Sequence, residues 1–178
     1  MQNPKERIEY IHVSLRIPAE LKTDLEGHAR NQLVNFNSLV NRVLVKYTSF
    51  DRIAEHVGAI PLNGRLFAGM LENVPREEME RLGKELGSDL IQETFQFLGL
   101  EYDIRGLIKH YFEPMSMFSG WYKFTIVGTG PNRRLMFQHA FGPKWSAFLK
   151  AYVSSIIKAA TGLDVRALAD NHILTIYC

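Results

Sequence analysis

The chain has 178 residues, of which 46% are hydrophobic, and it carries a formal net charge of +2 at pH 7. This length accommodates one small module and one domain of ordinary size with a core of its own. The lone cysteine, Cys178, excludes an intrachain disulfide. Since the sequence also lacks an apolar leader and a long uncharged apolar run, we expect a cytoplasmic protein that makes no membrane contact.

The first predicted element is a short strand that ends at Ile17. Its residues alternate strictly: one side carries apolar residues and the other carries His12, Ser14 and Arg16. A single strand followed by two short helices buries too little apolar surface to be stable alone. We therefore expect an intertwined homodimer in which two such strands pair antiparallel, and a two-stranded ribbon of this kind fits the DNA major groove.

Two helices follow the strand. The first begins at Pro18-Ala19-Glu20-Leu21 and continues its apolar stripe through Leu25 and Ala29, and the second opens at Asn37-Ser38, with Asn37 as the expected N-cap. In order and spacing this first quarter of the chain resembles the ribbon-helix-helix DNA-binding family, whose members include Arc-like, MetJ-like and CopG-like regulators.

The resemblance implies roles for particular residues. The polar strand residues of the family read base edges, which here are His12, Ser14 and Arg16, and an arginine can pair with guanine through two hydrogen bonds. The family also places a DNA phosphate at the start of its second helix, where free amides and the helix dipole attract anions. The residues that correspond to this phosphate-binding set, together with two basic residues that precede the ribbon, are Lys5, Arg7, Asn35, Phe36, Asn37 and Ser38.

The chain departs from the family pattern at two positions. Leu33 stands where the family usually has a glycine in a left-handed conformation at the end of the first helix. Phe36 stands where a polar residue is usual. Both substitutions fall in the turn that precedes the expected phosphate contact.

We place the module boundary so that residues 1–50 form the ribbon-helix-helix unit and residues 51–178 form a second domain. Periodicity and turn residues predict the elements of the second domain: a short amphipathic segment at 66–71, helices from Pro75 to Gly87, from Ser88 to Gly99 and over 104–112, a hairpin of strands near 121–126 and 133–140, a helix from Gly142 to Gly162 and a closing strand at 172–177. This order predicts an α+β domain in which helices cover one face of a small antiparallel sheet.

The second domain is expected to sense a ligand or to build a higher oligomer such as a tetramer. Aromatic residues are concentrated in it, and a subset could line an apolar pocket for an unidentified small ligand. That subset is Tyr122, Phe124, Phe137, His139 and Trp145. These residues equally suit a hydrophobic core, and His139 equally suits a buried, hydrogen-bonded structural role.

We predict neither a metal site nor catalysis. His56, His110, His172 and Cys178 lack the paired spacing of metal ligands, and no nucleotide loop, nucleophile elbow or metalloprotease helix is present. The sequence therefore predicts a dimeric prokaryotic transcriptional regulator, most simply a repressor, that binds a palindromic double-stranded operator. The alternative is an antitoxin whose C-terminal region binds a protein toxin, which requires that region to be extended or disordered when alone.

Overall fold

The computed structural model describes residues 9–177. The chain forms two compact units, unit 1 up to Leu44 and unit 2 from Val45 onward. Lys5 and Arg7, two of the predicted phosphate contacts, lie outside the described residues, as does Cys178. None of the helices within residues 9–177 combines the length and the apolar character needed to cross a bilayer.

Unit 1 contains α1, Ala19–Asn31, and the first part of α2, Phe36–Lys46. The predicted strand before α1 is not formed by the single chain: residues 9–18 have no strand pairing, and the first strand of the structure begins at Lys123. The physical reason is that a strand is held by its ladder of hydrogen bonds to a neighbour. No other described segment of unit 1 is extended and able to supply that neighbour.

The turn between α1 and α2 keeps a left-handed residue without a glycine. Leu33 has φ +56°, the conformation that the family gives to glycine at this position. The amide of Leu33 donates to the carbonyl of Arg30, and the amide of Val34 donates to the carbonyl of Ala29. This pair of bonds is the Schellman arrangement that terminates a helix, so Leu33 adopts the required geometry in spite of its Cβ.

Over the described residues 45–177, unit 2 begins with a helical run and contains four strands. Its helical segments are, in chain order, a π-helical segment at Tyr47–Asp51, α3 at Arg52–His56, α4 at Gly64–Glu72, α5 at Arg76–Leu98, α6 at Ile104–Leu107, a second π-helical segment at Ile108–Phe112, α7 at Glu113–Phe118 and α8 at Gly142–Thr161. Its strands are β1 at Lys123–Val127, β2 at Arg134–Gln138, β3 at Arg166–Ala169 and β4 at Ile173–Tyr177.

The strands form one antiparallel sheet in the order β1-β2-β4-β3. The side chains of Leu135, Phe137, Leu174 and Ile176 alternate along the two central strands and are fully buried, whereas Arg134 and Gln138 point to the opposite, exposed face. Since α8 packs on β3 and β4, and α7 packs on β1, helices cover one face of the sheet. The α+β class and the antiparallel sheet are as predicted.

The helix predicted to end at Gly87 does not end there. It continues as α5 through Gly87 to Leu98 and terminates at Gly99, which has φ +64°. The reason is tertiary packing: a Cβ at Gly83 would lie 2.5 Å from the carbonyl oxygen of Phe148, and one at Gly87 would lie 2.6 Å from that of Tyr152. The two glycines therefore allow α5 and α8 to approach backbone to backbone, and Gly87 is a packing residue.

We predict that Gly87→Ala destabilises unit 2 by about 2 kcal/mol or more, because the added methyl group meets the rigid backbone of α8. Urea unfolding followed by circular dichroism measures this change. The matched control is Gly69→Ala in α4, where an added Cβ meets no atom within 4 Å. Helix propensity alone makes that control neutral or up to about 1 kcal/mol stabilising. Equal effects in the two variants would contradict the packing role.

We also predict that Leu33→Gly stabilises unit 1 by about 1 kcal/mol, since glycine removes the steric cost of the left-handed conformation. Thermal unfolding measures this gain. The control Leu33→Ala removes the same exposed apolar surface but keeps the Cβ. If Ala stabilises as much as Gly, the gain comes from the side chain and the backbone argument fails.

Candidate nucleic-acid interface and ligand pocket

Apolar and polar residues alternate over 11–17, and all of them are exposed in the single chain. The apolar members are Ile11, Val13, Leu15 and Ile17, with exposed fractions of 80%, 63%, 62% and 37%. The side chains of His12, Ser14 and Arg16 on the alternate positions are also exposed. The three predicted base-reading residues are therefore accessible to solvent, and so are the apolar residues that alternate with them.

Unit 1 does not complete a hydrophobic core from its own residues. Among residues 9–44, only Ala29 and Leu39 are buried apolar residues. The large apolar side chains that remain exposed in the same range are Tyr10, Ile11, Val13, Leu15, Ile17, Leu21, Leu33, Val34, Val43 and Leu44. This imbalance is typical of a subunit whose core is completed by a partner.

The start of α2 is capped by Asn35, so the expectation that Asn37 is the N-cap was wrong. The Asn35 Oδ1 atom accepts a hydrogen bond of 2.8 Å from the amide of Ser38. This bond satisfies the third amide of the helix. The amides of Phe36 and Asn37, the first two, have no acceptor among residues 9–177 and carry the positive end of the helix dipole.

Asn35 to Ser38 therefore lie together at the first turn of α2. Phe36 contributes its backbone amide there, and its side chain is not needed for an anion contact. The net charge of residues 1–44 is only +1, since they contain six Lys or Arg and five Asp or Glu residues. Any attraction of unit 1 to phosphate thus depends more on individual hydrogen-bond donors than on a large positive net charge.

Four of the five predicted pocket residues lie in the packed interior of unit 2. Tyr122, Phe137 and Trp145 are each at most 3% exposed, and His139 is 8% exposed. The rings of Tyr122 and Phe137 meet edge to face with their centroids 5.0 Å apart. The fifth residue, Phe124, is half-buried and borders a half-open cavity. These side chains fill space against one another, which is the arrangement of a core.

Both ring nitrogens of His139 have partners. Nδ1 accepts a hydrogen bond from the amide of Phe141 at 3.2 Å, so the neutral ring carries its proton on Nε2, which donates to the Ser146 hydroxyl at 2.8 Å. Because Nε2 donates, the ring does not act as a base toward Ser146. Burial is the largest cause that lowers the pKa of His139 to about 4; the charge of His172 lowers it further and that of Asp170 opposes.

Tyrosine hydroxyls cluster beside α8. The hydroxyl groups of Tyr111 and Tyr152 form a short hydrogen bond. The buried hydroxyl of Tyr122 has no hydrogen-bond partner in the described part of the chain. Burial raises the pKa of Tyr111, Tyr122 and Tyr152 well above the ordinary tyrosine value, so all three are neutral phenols.

The histidines considered as metal ligands are not gathered into one site. His56 stacks on the ring of Phe97 with centroids 3.8 Å apart. His172 lies 6.2 Å from His139, measured between ring centroids. Within residues 9–177 no group of three His, Cys, Asp or Glu side chains is arranged to hold a metal ion.

Sequence reasoning missed three features of unit 2. It did not predict β3 or α7, and it did not predict the π-helical form of residues 47–51 and 108–112. A signal for β3 existed in Asp170, whose carboxylate accepts hydrogen bonds from the amides of His172 and Ile173 and so forms the turn into β4.

Comparison of the chain with family models, curated proteins and solved structures finds no match.

We predict that unit 2 loses stability in mild acid through His139. The unfolded chain binds a proton at this histidine below about pH 6.5, whereas the folded state resists protonation down to about pH 4. The contribution of the neutral ring is complete above pH 6.5 and falls by about 3 kcal/mol as the pH drops to 4. Urea unfolding at several pH values measures this slope.

Gln in place of His139 keeps one hydrogen-bond donor and one acceptor but does not titrate. In the His139→Gln variant this part of the decrease in unfolding free energy with falling pH should therefore vanish. His56→Gln, at an exposed histidine, is the matched control and should retain the slope. If His139→Gln retains the full acid slope, the loss of stability comes from other groups.

Proposed function

We propose that the protein is a DNA-binding transcriptional regulator that acts as a homodimer. In this proposal the segments 11–17 of two chains pair as an antiparallel ribbon that enters the major groove of a palindromic operator. His12, Ser14 and Arg16 contact base edges, and the first turn of α2 binds a backbone phosphate. Unit 2 then senses a ligand or links dimers into a tetramer, and repression is the simplest mode of regulation.

The observation that carries this proposal is the strict alternation of apolar and polar residues over 11–17, all of which are exposed in the single chain. Pairing as strands with a second copy would bury the apolar face of Ile11, Val13 and Leu15 and leave the polar face directed outward. The left-handed Leu33 and the Asn35 cap support it, because they place two amides at the start of α2 within unit 1. Arg16 is the strongest reader, since its guanidinium can bind guanine O6 and N7 together.

The antitoxin alternative has less support. It needs a C-terminal region that is extended before the toxin binds, whereas unit 2 buries a continuous apolar core that includes Phe95, Phe137 and Ile156. A regulator with a folded second unit agrees better with that core.

Selection from random duplex DNA, performed with the full-length protein at near-physiological salt, tests the proposal. We expect a short palindromic motif, and we expect Arg16→Ala to weaken binding to it by about 1 to 3 kcal/mol in a titration. Arg65→Ala, which removes an exposed arginine from α4, is the charge-matched control and should bind as the wild type does. A wild-type protein that selects no motif, or an Arg16→Ala variant with unchanged affinity, removes the base-reading role.

A pair of variants on adjacent residues separates dimerisation from recognition. Val13→Asn places a polar group on the face of the ribbon that must be buried, so it should convert the dimer to a monomer and abolish DNA binding. Ser14→Asn changes only the outward face, so this variant should remain dimeric while its preferred DNA motif changes. Light scattering measures the mass of each variant, and a dimeric Val13→Asn protein would contradict the ribbon.

A further inference from the structure

Two π-helical segments border the same cavity in unit 2. The first segment, Tyr47–Asp51, contributes Ser49, and the second, Ile108–Phe112, contributes His110. The remaining wall includes Arg52, Ile53, Leu98 and Leu100, and the cavity volume is about 160 Å³. We name it the π-segment cavity. Because π-helical turns are rare and are frequently found at functional sites, the meeting of two of them at one cavity favours a binding role.

The π-segment cavity contains two hydrogen-bond donors with no partner among residues 9–177. The Arg52 guanidinium forms no ion pair there, whereas the neighbouring carboxylate of Asp51 is already bound to Lys46 at 2.6 Å. His110 is half-buried and has no hydrogen-bond partner within the same range. The hydroxyls of Ser49 and Thr48, which also line the cavity, are different, because they donate to the carbonyl of Val45 at 2.6 and 3.2 Å. Donation to a ligand therefore falls to Arg52 and His110.

The charge of the cavity selects a monoanion. Arg52 is its permanent cation. Burial and the charge of Lys109 lower the pKa of His110, while Glu113 opposes them, so the imidazole is neutral at pH 7 and offers one N–H. A carboxylate matches the paired donors of a guanidinium and takes a third hydrogen bond from an imidazole.

The other wall of the cavity is apolar. Ile53, Leu98 and Leu100 are half-buried, and they offer a hydrocarbon surface beside the donors. A space of this size holds a hydrocarbon group about as large as benzene. We propose that the π-segment cavity binds a small organic monocarboxylate, with its carboxylate on Arg52 and His110 and its hydrocarbon part on the three aliphatic side chains.

This inference gives a ligand class to the sensing role suggested for unit 2, and it rests on the proposed function only for its regulatory meaning. Every residue that forms the cavity belongs to unit 2. Ligand binding is therefore measured without DNA. If the protein binds the carboxylate but selects no operator, this site is supported and the regulator proposal fails. If it selects an operator but does not bind the carboxylate, the regulator proposal is supported and this site is overturned.

Calorimetric titration of the full-length protein tests the site with three probes: pentanoate, acetate and inorganic phosphate. We expect saturable binding of one pentanoate per chain at pH 7.5. Acetate should bind at least tenfold more weakly, because it lacks three methylene groups that the apolar wall would cover in part. Phosphate should bind more weakly than pentanoate, since it uses none of that wall.

The variant Arg52→Gln should weaken pentanoate binding at least tenfold, and the charge-matched variant Arg65→Gln should leave it unchanged. Both arginines are exposed, so neither substitution should unfold unit 2, and circular dichroism verifies this. The proposal is overturned if pentanoate binding does not saturate, if Arg52→Gln binds pentanoate as the wild type does, or if phosphate binds as tightly as pentanoate.

Discussion

The close approach of α5 and α8 determines the architecture of unit 2. At Gly83 and Gly87 the backbone of α5 lies so near the carbonyl oxygens of α8 that no side chain fits between them. This contact fixes the position of α8 along its whole length, because the interior of a protein is close-packed and transmits a shift of one helix to everything packed on it. Beside this contact α8 carries an aromatic column in which Trp145, Phe148 and Tyr152 stack at 4.5 and 5.2 Å between successive centroids. The sheet packs on α8 through β3 and β4, and the buried phenol of Tyr111 reaches Tyr152.

Sequence periodicity predicted the elements whose structure depends on their own residues. The hairpin of β1 and β2, the apolar stripe of α8 and the termination of α5 and α8 at left-handed Gly99 and Gly162 all follow from local patterns. The helix end that was wrongly predicted at Gly87 has a different origin. A glycine that terminates a helix cannot be told by sequence from a glycine that lets a second helix pack closely against the first. The π-helical segments could not be predicted either, because they depend on how a helix adjusts to neighbours that the sequence does not place. The sequence could not distinguish a ligand pocket from the hydrophobic core for a related reason, because aromatic residues at helix and strand spacing suit both.

In unit 1 the local chemistry of the turn proved more predictable than the exact residues that perform it. An amide-rich helix start was expected and is present at Asn35 with Phe36. Leu33 was noted as a departure from the glycine usual in the family, yet it adopts the left-handed conformation. The cap moved by two residues from Asn37 to Asn35, which agrees with the usual uncertainty of helix boundaries. A leucine at φ +56° carries a steric cost that glycine would avoid. Its side chain is 95% exposed, so packing within the single chain does not offset that cost.

The two units differ in how their stability arises. Unit 2 buries a continuous core that links α5, α8 and the sheet within one chain. Unit 1 buries Ala29 and Leu39 and leaves a larger set of apolar side chains exposed. If a second copy supplies the missing contacts, as proposed, then the folding of unit 1 is coupled to association and its free energy varies with concentration. DNA that binds only the paired ribbon would also favour the dimer, because any ligand that binds one state alone shifts the equilibrium toward it. A carboxylate bound in unit 2 would affect DNA affinity only to the extent that its own affinity differs between the free and the DNA-bound protein.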